Sequence, residues 1–192
     1  MACAVLLAGG KSRRMGRDKL ALPQGGTTVL KAAVDRFSEK FEQVCISVDD
    51  KNRYADIDVP KIEDIFKGCG PLGGLHAALS EASGDGVFLA AADLPFSSPE
   101  TALFMMEKGK SFDICITSDT SGRFEPLFGW YSRRVLDTAE ELLKSGVYKM
   151  TELYAKHSVL ILTPEELGGH WCAESFENMN FPEDFDRLLG KL

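Results

Sequence analysis

The densest chemistry in the chain lies in Leu7-Ala-Gly-Gly-Lys-Ser-Arg-Arg-Met-Gly-Arg-Asp-Lys19. Gly9 and Gly10 let another group approach the backbone closely and leave N–H donors open to it. Lys11, Arg13, Arg14, Arg17 and Lys19 put five cations into nine residues. Backbone donors beside clustered cations make a cradle for a polyphosphate. A solvated basic loop would explain the charge but not the paired glycines. The segment is not a Walker A loop, which needs four residues between its glycines and then Gly-Lys-Ser/Thr. Here five residues separate Gly10 from Gly16, and Arg17 follows.

Three groups of carboxylates are candidates for the same site. Asp93 follows the apolar run Val87 to Ala92 and precedes Leu94-Pro95, which places it at the carboxyl end of a strand. A carboxylate there can hold Mg²⁺, which takes one or two carboxylates together with substrate phosphates. The plainer alternative is an Asp that caps the following turn, and the phosphate loop favours the metal. Asp64, just before Gly70-Pro-Leu-Gly-Gly74, can accept from a ribose hydroxyl or from the N1–H and 2-amino group of guanine. The residues alone do not choose between the two. Asp49 and Asp50 follow a second apolar run and serve equally as ligands or as turn residues.

Other motifs carry less. Gly68-Cys-Gly-Pro-Leu-Gly73 formally matches GxGxxG, with Asp93 at the spacing of a dinucleotide fingerprint. That fingerprint belongs in the tight turn after a strand, whereas Asp64 to Lys67 intervene here, and the basic loop already offers the pyrophosphate site. His76 falls on a helix, His157 and His170 have no Cys, Asp or Glu at metal-ligand spacing, and no GxSxG elbow anchors a hydrolase triad.

The elements that must position these residues alternate. Ala2 to Leu7, Gln43 to Val48, Lys61 to Glu63 and Val87 to Ala92 read as strands covered on both faces, as in a parallel sheet. Val29, Leu30, Ala33, Val34, Phe37 and Phe41 form one helical stripe, with Thr27 or Thr28 as its cap. A second helix begins at Pro71, with Leu72, Leu75, Ala78, Leu79 and Ala82 inward. The order β-α-β-β-α-β implies an α/β fold: a Rossmann-like, mostly parallel sheet flanked by helices. In the second half, Asp113 to Thr117 and Glu125 to Tyr131 read as an antiparallel pair laid over the sheet edge. A helix headed by Ser132 and stopped at Gly146, a strand over Ser158 to Thr163 and a short helix opened by Pro182 complete the chain.

At 192 residues, 44% hydrophobic and 27% charged, the chain fits one globular domain, 1–192, with a sizeable core. Its formal charge of −7 argues against nucleic acid as a partner while leaving room for a small anion at a local basic loop. The five cysteines show no CxxC spacing, hence neither a disulfide framework nor a zinc site. No apolar stretch reaches the ~20 residues that span a bilayer, and no secretory signal opens the sequence. The expectation is a cytoplasmic protein with no membrane association.

The motif Leu7 to Lys19 resembles the signature of the nucleotidyltransferases related to molybdenum cofactor guanylyltransferase. Gly70-Pro-Leu-Gly-Gly74, Ala92-Asp-Leu-Pro95 and Phe176-Glu-Asn-Met-Asn-Phe-Pro-Glu-Asp184 follow in that family's order and span nearly the whole chain. The resemblance implies the nucleotidyltransferase fold and the transfer of GMP from GTP to the terminal phosphate of molybdopterin cofactor, with release of pyrophosphate. It assigns Leu7, Ala8, Gly9, Lys19, Asp49, Asp64 and Asp93 to GTP, and Arg14, Lys19, Gly74 and Asp93 to the reaction centre. Asp93 would bind Mg²⁺, and Asn178 and Asn180 would serve the pterin or the metal. The family commonly carries Asn where this chain has Asp49, and a carboxylate cannot donate as an amide does. Proteins that deliver the product to molybdoenzymes are further candidate partners. The alternatives are a cytidylyltransferase acting on molybdopterin, whose relatives tend to carry Leu-Ala-Ala-Gly in place of Leu-Ala-Gly-Gly, another nucleotidyltransferase of the superfamily, and a non-catalytic GTP-binding carrier.

Overall fold

A computed structural model describes residues 2–9 and 18–176. Its centre is β1 (Cys3–Leu7), whose Cys-Ala-Val-Leu-Leu sequence has no polar position. Such a strand must be covered twice. Ala4 and Leu6 enter one hydrophobic cluster and Cys3 and Val5 the other, as the two-residue period of a strand demands.

Seven strands form one sheet in the order β5-β4-β1-β6-β8-β7-β9. These are β4 (Gln43–Val48), β5 (Lys61–Glu63), β6 (Gly86–Ala91), β7 (Ile114–Ser118), β8 (Phe124–Ser132) and β9 (Val159–Leu162). β1 pairs in parallel with β4 and β6, as does β4 with β5 and β7 with β9. A separate two-residue hairpin, β2 (Pro23–Gln24) with β3 (Thr27–Thr28), turns through Gly25 and Gly26, both at positive φ.

Helices cover both faces. α1 (Val29–Ser38) and α3 (Pro99–Gly109) bury their apolar stripes in the cluster that holds Leu6 and Phe88. α2 (Gly70–Glu81) and α4 (Leu136–Lys144) cover the other face, against Val5 and Leu89. Thr28, not Thr27, caps α1, its hydroxyl accepting from Lys31 N–H at 3.2 Å.

The structure departs from the sequence expectation at several places. The antiparallel pair of the second half does not overlie the sheet edge but lies within the sheet. β8 pairs antiparallel with β6 on one side and with β7 on the other. Glycines permit this insertion: a Cβ at Gly86 would stand 2.2 Å from Tyr131 O, and one at Gly129 2.8 Å from Cys115 O. The helix expected from Ser132 starts as a 3₁₀ turn over Arg133–Val135 before α4 begins. α3 was not foreseen, although Ser98 caps it and Pro99 and Glu100 open it. The helix expected at Pro182 lies outside the described residues.

Candidate active site

The chain runs outward from β1 to β4 and β5, then crosses through α2 to β6 on the other side of β1. Strand order therefore reverses beside β1, and ligands of open α/β sheets bind at the carboxyl ends next to such a reversal. Two bonds tie this end of β1 to its neighbours. Ala8 N–H donates to Ser47 O at 2.9 Å, and Ala92 N–H donates to Leu7 O at 3.2 Å. Outside these strand ends opens a cleft of about 800 Å³, within the size range of small-molecule sites.

Leu7, Ala8, Gly9, Lys19, Asp49, Asp64, Gly74 and Asp93 all line this cleft. They come from segments far apart in the chain, and the sheet topology gathers them. Arg14, Asn178 and Asn180 lie outside the described residues. The cleft also takes Asp18, Ser47, Lys67 and Leu127, which the sequence reading did not single out. Ser47 had a legible signal, since it precedes the last residue of a strand that ends at the site.

Lys19 and Asp93 meet in an ion pair. Lys19 opens a 3₁₀ turn, Lys19–Ala21, that Asp18 caps by accepting from Leu20 N–H at 3.1 Å. Asp93 leaves the end of β6, and its carboxylate crosses to Lys19. The two side chains are 20% and 15% exposed, so the pair is partly withdrawn from solvent yet open to the cleft.

Asp64 stands on the opposite wall. Burial pushes its carboxyl above the ordinary range, partly offset by the Ser47 hydroxyl, which donates to Oδ1 at 3.2 Å. Asp49 and Asp50 separate in role. Asp49 faces the cleft and pairs with Arg53 at 2.6 Å, whereas Asp50 serves the turn by accepting from Asn52 N–H at 2.9 Å.

The GxGxxG stretch is not a strand–turn–helix fingerprint, because residues 64–67 separate it from β5. Gly68 and Gly70 adopt left-handed φ of 76° and 65°, and Gly70, Pro71 and Gly74 of the first turns of α2 line the cleft. The positive end of this helix dipole thus adjoins the site. A Cβ at Gly74 would lie 2.7 Å from Leu7 Cδ2 and 2.9 Å from Ser47 Oγ, so the glycine lets α2 sit directly on β1 and β4. Gly9 is different: a Cβ there would meet only Asp49 N, at an ordinary 3.9 Å.

A smaller cavity of about 170 Å³ lies at the ends of β7 and β8, lined by Glu125, Trp171 and Phe176 among others. Burial raises the Glu125 carboxyl above its ordinary range, and its Oε1 accepts from the N–H of Leu127 at 3.2 Å. Leu127 lines the larger cleft, so one strand serves both cavities.

Residues 4–159 match the model of the MobA-like NTP transferase domain. The chain belongs to this family. It is a nucleotidyltransferase. It is 32% identical over 185 residues to a probable molybdenum cofactor guanylyltransferase of Carboxydothermus hydrogenoformans, covering 96% of this chain and 93% of that one. A protein of the same description from Pelotomaculum thermopropionicum is 33% identical, over 95% of this chain and 89% of its own length. Among solved structures, molybdopterin-guanine dinucleotide biosynthesis protein A from Archaeoglobus fulgidus superposes with a TM-score of 0.86 at 26% identity, covering 100% of this chain and 98% of that one. Among the described residues no helix is long and apolar enough to cross a membrane.

Proposed function

We propose that this protein transfers GMP from GTP to the terminal phosphate of molybdopterin cofactor, forming the guanine dinucleotide and pyrophosphate in the cytoplasm. The observation that carries the reading is the Lys19–Asp93 pair at the joined carboxyl ends of β1 and β6, inside a cleft that the phosphate-loop residues also line. The names of the relatives from Carboxydothermus and Pelotomaculum support guanine and molybdopterin as the two substrates.

The acceptor phosphate is already an anionic nucleophile, so the protein need not supply a base or a covalent residue. Its task is alignment and charge neutralisation at the α-phosphate. Lys19 would exchange part of its contact with Asp93 for the triphosphate, placing a cation where negative charge grows. The Gly9 backbone and the first turn of α2 would offer N–H donors to the same phosphates, while Leu7 and Ala8, the latter's N–H bonded to Ser47 O, would line the nucleotide. Asp64 would meet the nucleoside, held in orientation by Ser47. Arg14 and Gly74 belong to the reaction centre in this reading.

The residues present fit Mg²⁺. No group of three or more His, Cys, Asp or Glu side chains capable of holding a metal occurs among the described residues, but this ion needs only one or two carboxylates when substrate phosphates complete its shell. Asp93, at the cleft and partly buried, is the residue that would hold it, and the ion supplies charge neutralisation at the phosphates. Asn178 and Asn180 would serve the pterin or the metal. Phe176, two residues before Asn178 in sequence, lines the smaller cavity. The reading treats 1–192 as one domain and leaves delivery proteins as acceptors of the finished cofactor.

Calorimetric titration with GTP, CTP, ATP and UTP in the presence of Mg²⁺ tests the assignment, followed by pyrophosphate release with molybdopterin cofactor. GTP-selective binding that weakens in Lys19→Ala, together with turnover, is expected. Preference for CTP moves the protein to the cytidylyl branch. Binding of GTP without pyrophosphate release makes it a carrier.

A further inference from the structure

We infer that Arg53 is a positioning residue for the nucleotide triphosphate: its guanidinium clamps Asp18 to Asp49 and so fixes the turn that carries Lys19. The inference rests on the nucleotidyl-transfer reading and adds to it a residue outside the phosphate motif.

Arg53 follows β4 in a turn, where its N–H donates to Asp50 O at 3.0 Å. Its side chain reaches both carboxylates at once. Nη1 donates to Asp49 Oδ1 at 2.6 Å, and Nη2 donates to Asp18 Oδ2 at 2.7 Å. A planar fork suits two acceptors in this way, where an ammonium would serve as a single point charge. Asp18 is thereby held from three directions, since its other oxygen caps the Lys19–Ala21 turn at Leu20 N–H and the Tyr54 hydroxyl donates to Oδ2 at 2.8 Å.

Tyr54 strengthens the case. It is the one non-glycine residue of positive φ, 54°, among the described residues. A bulky residue in the left-handed region persists only when its surroundings over-determine it. Here the hydroxyl bond to Asp18, a bond from Arg53 Nη2 at 2.7 Å and the guanidinium lying 4.8 Å from the ring centre hold it there. The strain is kept where it completes the clamp.

The electrostatics point the same way. Asp18 and Asp49 both line a cleft that must accept a polyphosphate. Two carboxylates there repel the ligand, and the single positive charge of Arg53, shared between them, offsets half of theirs. Its loss therefore does two things: it loosens the Lys19 turn and it removes a positive charge from beside two carboxylates that line the phosphate cleft. Both penalties grow with ligand charge.

The test is affinity for GTP and for GMP, with Mg²⁺ present, in wild type, Arg53→Ala, Arg53→Lys and Tyr54→Phe. Arg53→Ala is expected to weaken GTP by about 10- to 100-fold, the range seen when a partner that orients a metal-binding side chain is removed, and to weaken GMP several-fold less. Arg53→Lys restores charge without the fork and falls between. Tyr54→Phe keeps the guanidinium and shows a smaller loss of the same kind. In turnover the defect appears in KM for the nucleotide, with kcat less affected. Equal losses for GTP and GMP would mean a merely structural role, and unchanged affinity for GTP would also overturn the inference. CTP and CMP are run in parallel. If wild type selects CTP, the guanylyl reading fails, while the Arg53 effect is still decided by the CTP-to-CMP comparison.

Discussion

Gly74→Ala separates packing from site geometry, because a methyl group there collides with the site rather than with the frame. The added Cβ would stand 2.7 Å from Leu7 Cδ2, 2.9 Å from Ser47 Oγ and 3.7 Å from Asp64 Oδ1. Both close neighbours are side-chain atoms that can yield. At Gly73, by contrast, a Cβ would meet the Phe66 carbonyl oxygen at 2.8 Å, and backbone must move. Overpacking of this kind costs about 1–3 kcal/mol, while alanine in place of glycine inside a helix returns about 1 kcal/mol. The net change in stability at Gly74 is thus a loss of at most about 2 kcal/mol. The site loses more in relative terms. For Ser47 Oγ to make room it must leave its 3.2 Å bond to Asp64, and a hydrogen bond to a charged group is worth about 1.5–3 kcal/mol. At 1.4 kcal/mol per factor of ten, kcat/KM should fall roughly 10- to 100-fold. Pyrophosphate release and thermal unfolding on the same preparation read both quantities. Ser47→Ala removes the same bond without the collision and should reproduce most of the activity loss with little change in stability. Wild-type kcat/KM in both variants would refute the reasoning.

Asp93→Asn should reduce turnover by about 3 kcal/mol of transition-state stabilisation, more than a hundredfold, with an unchanged circular dichroism spectrum; wild-type turnover removes Asp93 from the reaction centre. Asp113 should carry acid stability. Burial alone would raise its carboxyl, but Ser158 N–H at 2.9 Å, Ser158 Oγ at 2.8 Å and the Arg134 guanidinium hold it at about 2. Its folded value lies below the ordinary 3.8, so the roughly 2 kcal/mol it contributes is present above about pH 4 and lost as pH falls toward 2. Urea midpoints measured across that window should drop steeply in wild type and less in Asp113→Asn; parallel curves would count against the assignment. Gly86→Ala would place a Cβ 2.2 Å from Tyr131 O, between β6 and β8. It should cost about 1–3 kcal/mol or more in chemical denaturation, and a neutral result would mean that β8 moves freely.

The parallel half of the fold was readable because its signal is local. A strand such as Val44–Val48, buried at every position, can only be a strand covered on both faces, and the helices between such strands carry their own stripes. Lys19 and Asp93 were readable from equally local signals: Asp93 sits just after a strand end where open sheets bind ligands, and Lys19 closes the basic glycine motif that follows β1. β8 was harder. Whether an antiparallel pair lies on a sheet or in it depends on which strand accepts its free edge, and that is settled by Gly86 and Gly129 making room across a distance of some forty residues in sequence. α3 escaped because its apolar residues, Ala102 to Met106, form one unbroken run with no polar spacing to mark a helical period, although its cap, Ser98 with Thr101 N–H at 3.1 Å, is written locally.

The choice between Asp49 and Asp50 shows where such reading ends. The two are adjacent, of one type, and follow the same strand, so no property of either distinguishes ligand from turn residue. What distinguishes them is Arg53, whose fork takes Asp49 and leaves Asp50 to Asn52. The same contact bears on the missing amide. Asp49 cannot donate, and the guanidinium bonded to it directs its N–H groups to Asp49, Asp18 and the Tyr54 hydroxyl. Asp49 and Arg53 form one arrangement, which becomes visible only when the guanidinium that holds Asp49 is seen to meet Asp18, the cap of the Lys19 turn.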